Sequence, residues 1–120
     1  MPEGHTIHRA ARDHHQIFAN QILKISSPQG RFADGANIIN ENICINVEAF
    51  GKHLLYHFKN NKTLHIHLGL FGRFRKHKLP LREPKGAVRV RLVGQTHAVD
   101  INGPTICRVL ETPDALLLMK

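Results

Sequence analysis

The chain has 120 residues, enough for one hydrophobic core and too few for two. Lys and Arg number 17 against 9 acids, a net charge of +8, with ten His besides; this points to a polyanionic partner, nucleic acid first, although a basic surface without a partner has the same composition. No apolar run is long enough to span a membrane and the polar start does not read as a signal peptide, while Cys44 and Cys107 form no CxxC pair and fit two inert thiols in a reducing cytoplasm.

Residues 3–19 have helical periodicity, with Ile7, Ala10, Ala11, His14 and Phe18 on one face. Gln21 to Ser26 alternates as a strand, and Ser27-Pro28-Gln29-Gly30 breaks it. Arg31 to Ala36 has the composition of a loop. Two β-rich runs follow, Ile43–Phe50 and Lys52–Phe58, split by Gly51. Asn60-Asn61-Lys62 forms a hairpin turn, Thr63–Leu68 is the returning strand, and Phe71–His77 is a further one. The segment Leu79–Gly86 holds Pro80 and Pro84 and is a surface connection. Ala87–Val93 alternates, with Val88, Val90 and Leu92 on one side and Arg89 and Arg91 on the other. Strands Thr96–Ile101 and Thr105–Leu110 are joined by Asn102-Gly103-Pro104. Many short strands with regular turns indicate a sandwich or a barrel, here one helix followed by about eight antiparallel strands. Thr112 caps a last helix with Pro113 in its first position. That helix is too short to be stable alone, so residues 112–120 are expected to lead into a further domain.

The chemistry-bearing stretch is Met1-Pro2-Glu3. Once the initiator methionine is removed, Pro2 carries a free secondary amine. A terminal amine has a reference pKa of about 7.7–8.0 against about 10.4 for lysine, so far more of it is the neutral nucleophile near pH 7.5. Its adduct with a sugar aldehyde carbon is an iminium ion, an electron sink for elimination. Pro and Glu are also ordinary residues at a helix start. Lys52, next to Gly51, can reach a phosphate, or can be a solvated edge lysine. His65 and His67 share a strand face, as do His53 and His57. HxH spacing can bind a metal, but no local Cys, Asp or Glu completes a set, and histidines on a face that meets phosphates suit the composition better. Gly69 and Gly72 bracket Leu70-Phe71, either a wedge for a duplex or two core side chains. Arg73, Arg75, Lys76 and Lys78, with Arg89 and Arg91, form a basic stripe able to track a phosphate backbone.

Taken together, these segments resemble the Fpg/Nei family of DNA glycosylases, most closely its endonuclease VIII (Nei) branch in the actinobacterial-type form. The matching pieces are Pro2-Glu3-Gly4-His5-Thr6 with its helix, Ser27 to Ala33, Gly51-Lys52-His53-Leu54, His67-Leu68-Gly69-Leu70-Phe71-Gly72, and Asp100 to Pro104, in family order across almost the whole chain.

The resemblance implies a mainly β fold with an N-terminal α-helix, a two-layer antiparallel β-sandwich of about eight strands. Residues 1–111 would be the catalytic domain, and 112–120 the approach to a C-terminal helix–two-turns–helix and zinc-finger region. It implies base-excision repair of damaged double-stranded DNA, oxidised pyrimidines above all, by a bifunctional glycosylase/AP lyase that flips the base out of the duplex. Carried onto this chain, Pro2 nitrogen attacks C1′, Glu3 handles protons at the sugar, Lys52 contacts phosphate, and the iminium drives β- and δ-elimination. Leu70 enters the gap left by the base and His67 contacts the backbone; Phe71, Arg31, Arg73 and Arg75 complete the candidate DNA contacts. The resemblance implies no metal and no cofactor in this part, zinc belonging to the C-terminal region, and a cytoplasmic monomer. Thr6 stands where the family often has a second glutamate, and the Asp100–Pro104 turn lacks the paired arginines of the formamidopyrimidine branch. Without the C-terminal region the chain is expected to grip DNA weakly. A non-catalytic DNA-binding module of the same ancestry is the alternative. An unrelated RNA-binding β-domain is disfavoured by the lack of Trp and the single tyrosine, Tyr56.

Overall fold

The computed structural model describes residues 4–119. The elements are α1 (Gly4–Phe18), β1 (Gln21–Ser26), α2 (Ala33–Ile39), β2 (Asn42–Phe50), β3 (His53–Phe58), β4 (Lys62–His67), β5 (Arg73–Lys78), β6 (Val88–Val93), β7 (His97–Asn102), β8 (Ile106–Glu111) and α3 (Thr112–Leu117). The eight strands form one antiparallel series in the order β5-β7-β6-β1-β2-β3-β4-β8. The series folds over at β1. Gln21–Leu23 pair with β2, and Lys24–Ser26 pair with β6. Each half of β1 thus belongs to a different layer. Leu54, Tyr56, Leu64 and Ile66 of one layer share a single core with Val90, Leu92, Val99 and Ile101 of the other. This is the expected two-layer arrangement, and it follows from period-2 alternation with one apolar face per strand.

Helix α1 closes one side of that core. Ile7, Ala11, His14 and Phe18 recur at helical spacing and are buried. His14 is the polar member of this face. Its Nδ1 lies 2.7 Å from the Tyr56 hydroxyl, so two buried polar groups satisfy each other. Burial pushes the His14 imidazole down to about 4, which keeps it neutral at pH 7. The helix stops at Asn20, whose φ of +65° turns the chain into β1 while its N–H donates to the Cys44 carbonyl at 2.7 Å.

Four sequence expectations are corrected. The segment expected to be a loop, Arg31 to Ala36, holds the first half of α2, whose buried Ala36 and Ile39 continue the face of the buried cap residue Phe32. Asp34 and Gly35 are poor helix formers and hid that face. Gly35 is there for space: a Cβ would come within 2.3 Å of the Phe32 ring. The basic stripe is not one surface. Arg91 is buried and donates Nε to Asp100 Oδ1 at 2.7 Å and Nη2 to Oδ2 at 3.0 Å, as a buried guanidinium must. Lys76 lies 2.9 and 2.8 Å from the two oxygens of Asp13, tying β5 to α1, and Arg89 is half-buried with Nε on Gln29. His57 and His65 are buried, so neither meets a phosphate. Finally, Glu111 takes the cap position of α3, and the Thr112 hydroxyl bonds Thr63 at 2.9 Å instead. Among the described residues no helix is long and apolar enough to cross a membrane.

Candidate active site and nucleic-acid interface

Three connections meet at one end of the sandwich. Register pairs Phe50 with His53, His53 with His67, and His67 with Ile106. The β2–β3 turn, the β4–β5 loop and the β7–β8 turn are therefore neighbours. On the other layer, Arg73 pairs with Asn102 and Asn102 with Val88, bringing the same end to β5, β6 and β7. The Ser27–Arg31 segment is tied there through Gln29 N–H on the Val88 carbonyl at 3.0 Å.

Lys52 is exposed in the two-residue β2–β3 turn. Gly51 precedes it with φ +58° and open space around its missing Cβ. Its need is conformational: a tight hairpin turn requires positive φ at this position. Lys52 is held at the tip without a partner in the described residues.

Leu68 to Gly72 form a compact loop. Gly72 N–H returns to the Leu68 carbonyl at 3.1 Å, and Thr105 N–H donates to the His67 carbonyl at 2.8 Å. Gly69 has φ +69°, and a Cβ there would sit 1.9 Å from Thr105 Oγ1. The loop is packed shut at its glycines and leaves only its middle residues outside. Leu70 is 61% exposed and Phe71 82%. The choice between wedge and core side chains thus resolves toward solvent. Two large apolar side chains on a rigid loop have no packing role in this domain, and such residues mark interaction surfaces.

Behind the loop lies an imidazole cluster. His53 Nδ1 is 2.9 Å from His65 Nε2, and Arg108 Nε donates to His65 Nδ1 at 3.0 Å. The His53 and His67 rings pack with centroids 4.7 Å apart. Burial, and then the Arg108 charge, push His65 down to about 4; His53 is lowered by burial and by its His67 and Arg108 neighbours. On the same sheet face His57 spans Glu48, at 2.5 Å, and Thr63, at 2.8 Å. Arg108 and Glu48 were missed from sequence. Each is a single charge among apolar neighbours in an alternating strand, and only the register sets it beside a histidine. Among the described residues no group of three or more His, Cys, Asp or Glu is arranged to hold a metal ion.

Arg73 and Arg75 are exposed on β5, Arg73 next to the loop and Arg75 further along the strand; Arg31 is exposed after the Ser27–Gly30 turn. Pro2 and Glu3 lie outside the described residues. The course of α1 bears on them. Asn20 is level with Cys44, and Val47 N–H donates to His15 Nδ1 at 3.2 Å, so α1 runs antiparallel to β2. From His15 back to Gly4 the helix rises about 16 Å. From Val47 to Phe50 the strand rises about 10 Å. The first turn of α1, the positive end of its dipole, is thus directed to the Lys52 end.

Residues 1–105 match the Formamidopyrimidine-DNA glycosylase N-terminal domain. The chain is 45% identical over 115 residues to Endonuclease 8 1 of Mycobacterium tuberculosis and of Mycobacterium bovis, covering 92% of this chain and 43% of theirs. It thus spans less than half the length of these relatives. Among solved structures, MutM in complex with carbocyclic 8-oxo-G containing DNA matches with a TM-score of 0.80 at 16% identity, over 98% of this chain and 48% of that one. Lactococcus lactis formamidopyrimidine DNA glycosylase, non-covalently bound to DNA containing an AP site, matches with a TM-score of 0.79 at 15% identity, over 98% and 47%. At such identity these likenesses speak to the fold alone. The domain match, over most of the chain, shows that this chain belongs to the formamidopyrimidine-DNA glycosylase family.

Proposed function

We propose that residues 1–111 are the catalytic domain of a bifunctional DNA glycosylase/AP lyase that removes oxidised bases, pyrimidines above all, from double-stranded DNA. Residues 112–120 then lead toward the part of the relatives that this chain does not span. The observation that carries the reading is the common end: the exposed Leu70-Phe71 pair and the Lys52 turn lie there, and the first turn of α1 is directed to it. A duplex laid across that end meets cations at its phosphates and an apolar wedge at its stack.

In this reading the Pro2 amine attacks C1′, forming the N–C bond as the base departs with the bonding electrons and takes up a proton. Opening of the sugar ring leaves the N=C1′ iminium. Loss of a C2′ proton then expels the 3′ phosphate, and a second elimination expels the 5′ phosphate. Glu3 carries protons at the sugar. The helix dipole favours a neutral, nucleophilic amine at Pro2 and an ionised carboxylate at Glu3, so a donor role for Glu3 needs its environment to raise its pKa. Lys52 neutralises the phosphate next to the reacting sugar. Leu70 fills the space of the extruded base, with Phe71 beside it. His67, Arg31, Arg73 and Arg75 hold the backbone.

The test is incision of duplexes carrying an oxidised pyrimidine, an oxidised purine or an undamaged base, by the Met-free protein alone and by the same chain joined to the remaining part of one of its longer relatives. Phosphate left at both ends of the gap, with the pyrimidine lesion preferred, is the expected product. Binding without incision by either protein would leave a DNA-binding module without chemistry.

A further inference from the structure

Arginine and histidine have different freedoms in a hydrogen-bond chain. A guanidinium only donates; a neutral imidazole donates from one nitrogen and accepts at the other. Arg108 Nε donates to His65 Nδ1, so that nitrogen is an acceptor. Neutral His65 then carries its proton on Nε2 and donates to His53 Nδ1 at 2.9 Å. His53 Nδ1 being an acceptor, the proton of His53 lies on its own Nε2. That atom has no hydrogen-bond partner among the described residues, and His53 is only half-buried. His53 directly follows Lys52 at the tip of the β2–β3 turn.

We propose that Arg108 is a positioning residue: acting through His65, it fixes His53 in the Nε2–H tautomer, so that His53 presents a hydrogen-bond donor to a nucleic-acid backbone phosphate beside Lys52. The inference deepens the reading of this end as a DNA interface and rests on it. The opposite tautomer would aim a nitrogen lone pair at a phosphate oxygen, which repels. The groups facing the relay are Lys52 from the turn, His57 from β3, His67 from β4, Arg108 from β8 and Glu48 from β2. Glu48 is held by His57, so among the described residues no carboxylate competes for His65. Arg108 is exposed on the edge strand β8, so its replacement leaves the core intact.

The experiment reads imidazole tautomers by nitrogen-15 NMR at about pH 7.5 and duplex affinity by anisotropy. It uses the 120-residue chain and a short duplex carrying a tetrahydrofuran abasic analogue. In the parent chain His53 and His65 are expected as Nε2–H, and the duplex should shift the His53 Nε2–H signal. Arg108→Met frees the direction of the chain, so His53 divides between tautomers, and affinity falls by about two- to fivefold as the competent fraction falls. His53→Gln supplies an amide donor that needs no tautomer. In that background Arg108→Met should change affinity by less than the same substitution does alone. An unchanged His53 tautomer in Arg108→Met overturns the proposal, as does an equal loss in the His53→Gln background, which would make Arg108 a simple cation. A His53 signal blind to the duplex also overturns it. None of these results touches the Pro2 chemistry, which is read separately by incision and covalent trapping.

Discussion

His14 and His65 are the residues whose burial has the plainest consequence. Both are pushed down to about 4 in the folded chain, chiefly by desolvation, whereas an unfolded imidazole titrates near 6.5. Between these values the unfolded state binds protons that the folded state refuses. The contribution of these two groups to stability is therefore complete above about pH 7, falls as pH drops through 6.5 toward 4, and changes no further below. Urea unfolding at about pH 7.5 and about pH 5 measures this: the midpoint is expected to be lower at the acid value. Tyr56→Phe, which removes the hydroxyl partner of His14 Nδ1, should cost about 1–3 kcal/mol, the penalty of a buried group left unpaired. The helical face of His14 was legible in the sequence, but its partner was not. Tyr56 lies 42 positions away, and no local pattern joins them. Arg91 and Arg89 read alike in an alternating strand. Only the pairing of Arg91 with Asp100 across β6 and β7 makes one a buried ion and leaves the other near the surface.

At the scale of elements, the β4–β5 loop and the β2–β3 turn separate function from stability. Leu70 and Phe71 are exposed and add nothing to the core, so Leu70→Ala and Phe71→Ala should move stability by no more than about 0.5 kcal/mol. On the proposed function the same variants should slow release of a damaged base, because the side chains proposed to fill the extruded position are cut back. Thermal melts and single-turnover excision measured side by side check this. A lost melting temperature would mean the loop is structural. Lys52→Gln should likewise leave the fold alone and lower the slope of log affinity against log salt by about one. The glycines of both segments were visible as turn signals, and their bracketing of Leu70-Phe71 located the loop. Whether those side chains point in or out was not legible, because a short apolar pair has the same composition in either place. Helix α2 was lost for a related reason: its apolar face of Phe32, Ala36 and Ile39 covers only seven residues of helix and is interrupted by Asp34-Gly35.

For the whole molecule, the decisive feature is β1, which gives three residues to each layer and folds eight strands over one core. It brings connections from both layers to a single end, and α1 runs antiparallel to β2 toward that end. The alternation of the strands was readable from period 2, as was their number. The folding-over at β1 was not, since both halves of Gln21–Ser26 look the same in sequence. The net charge of +8 gives the molecule a long-range pull on polyanions, but the buried Arg91 and the exposed, Asp13-paired Lys76 contribute structure to α1, β5 and β6 instead of a continuous track. The central claim is that the amine of Pro2 forms a covalent iminium with a sugar at this end. Borohydride trapping on an abasic-site duplex at low salt tests it most directly, using the Met-free chain alone and the same chain joined to the remaining part of one of its longer relatives. The account predicts a covalent adduct that disappears in Pro2→Gly and when Met1 is retained. An adduct that survives Met1 retention would move the nucleophile to another amine, and no adduct from either protein would contradict the account.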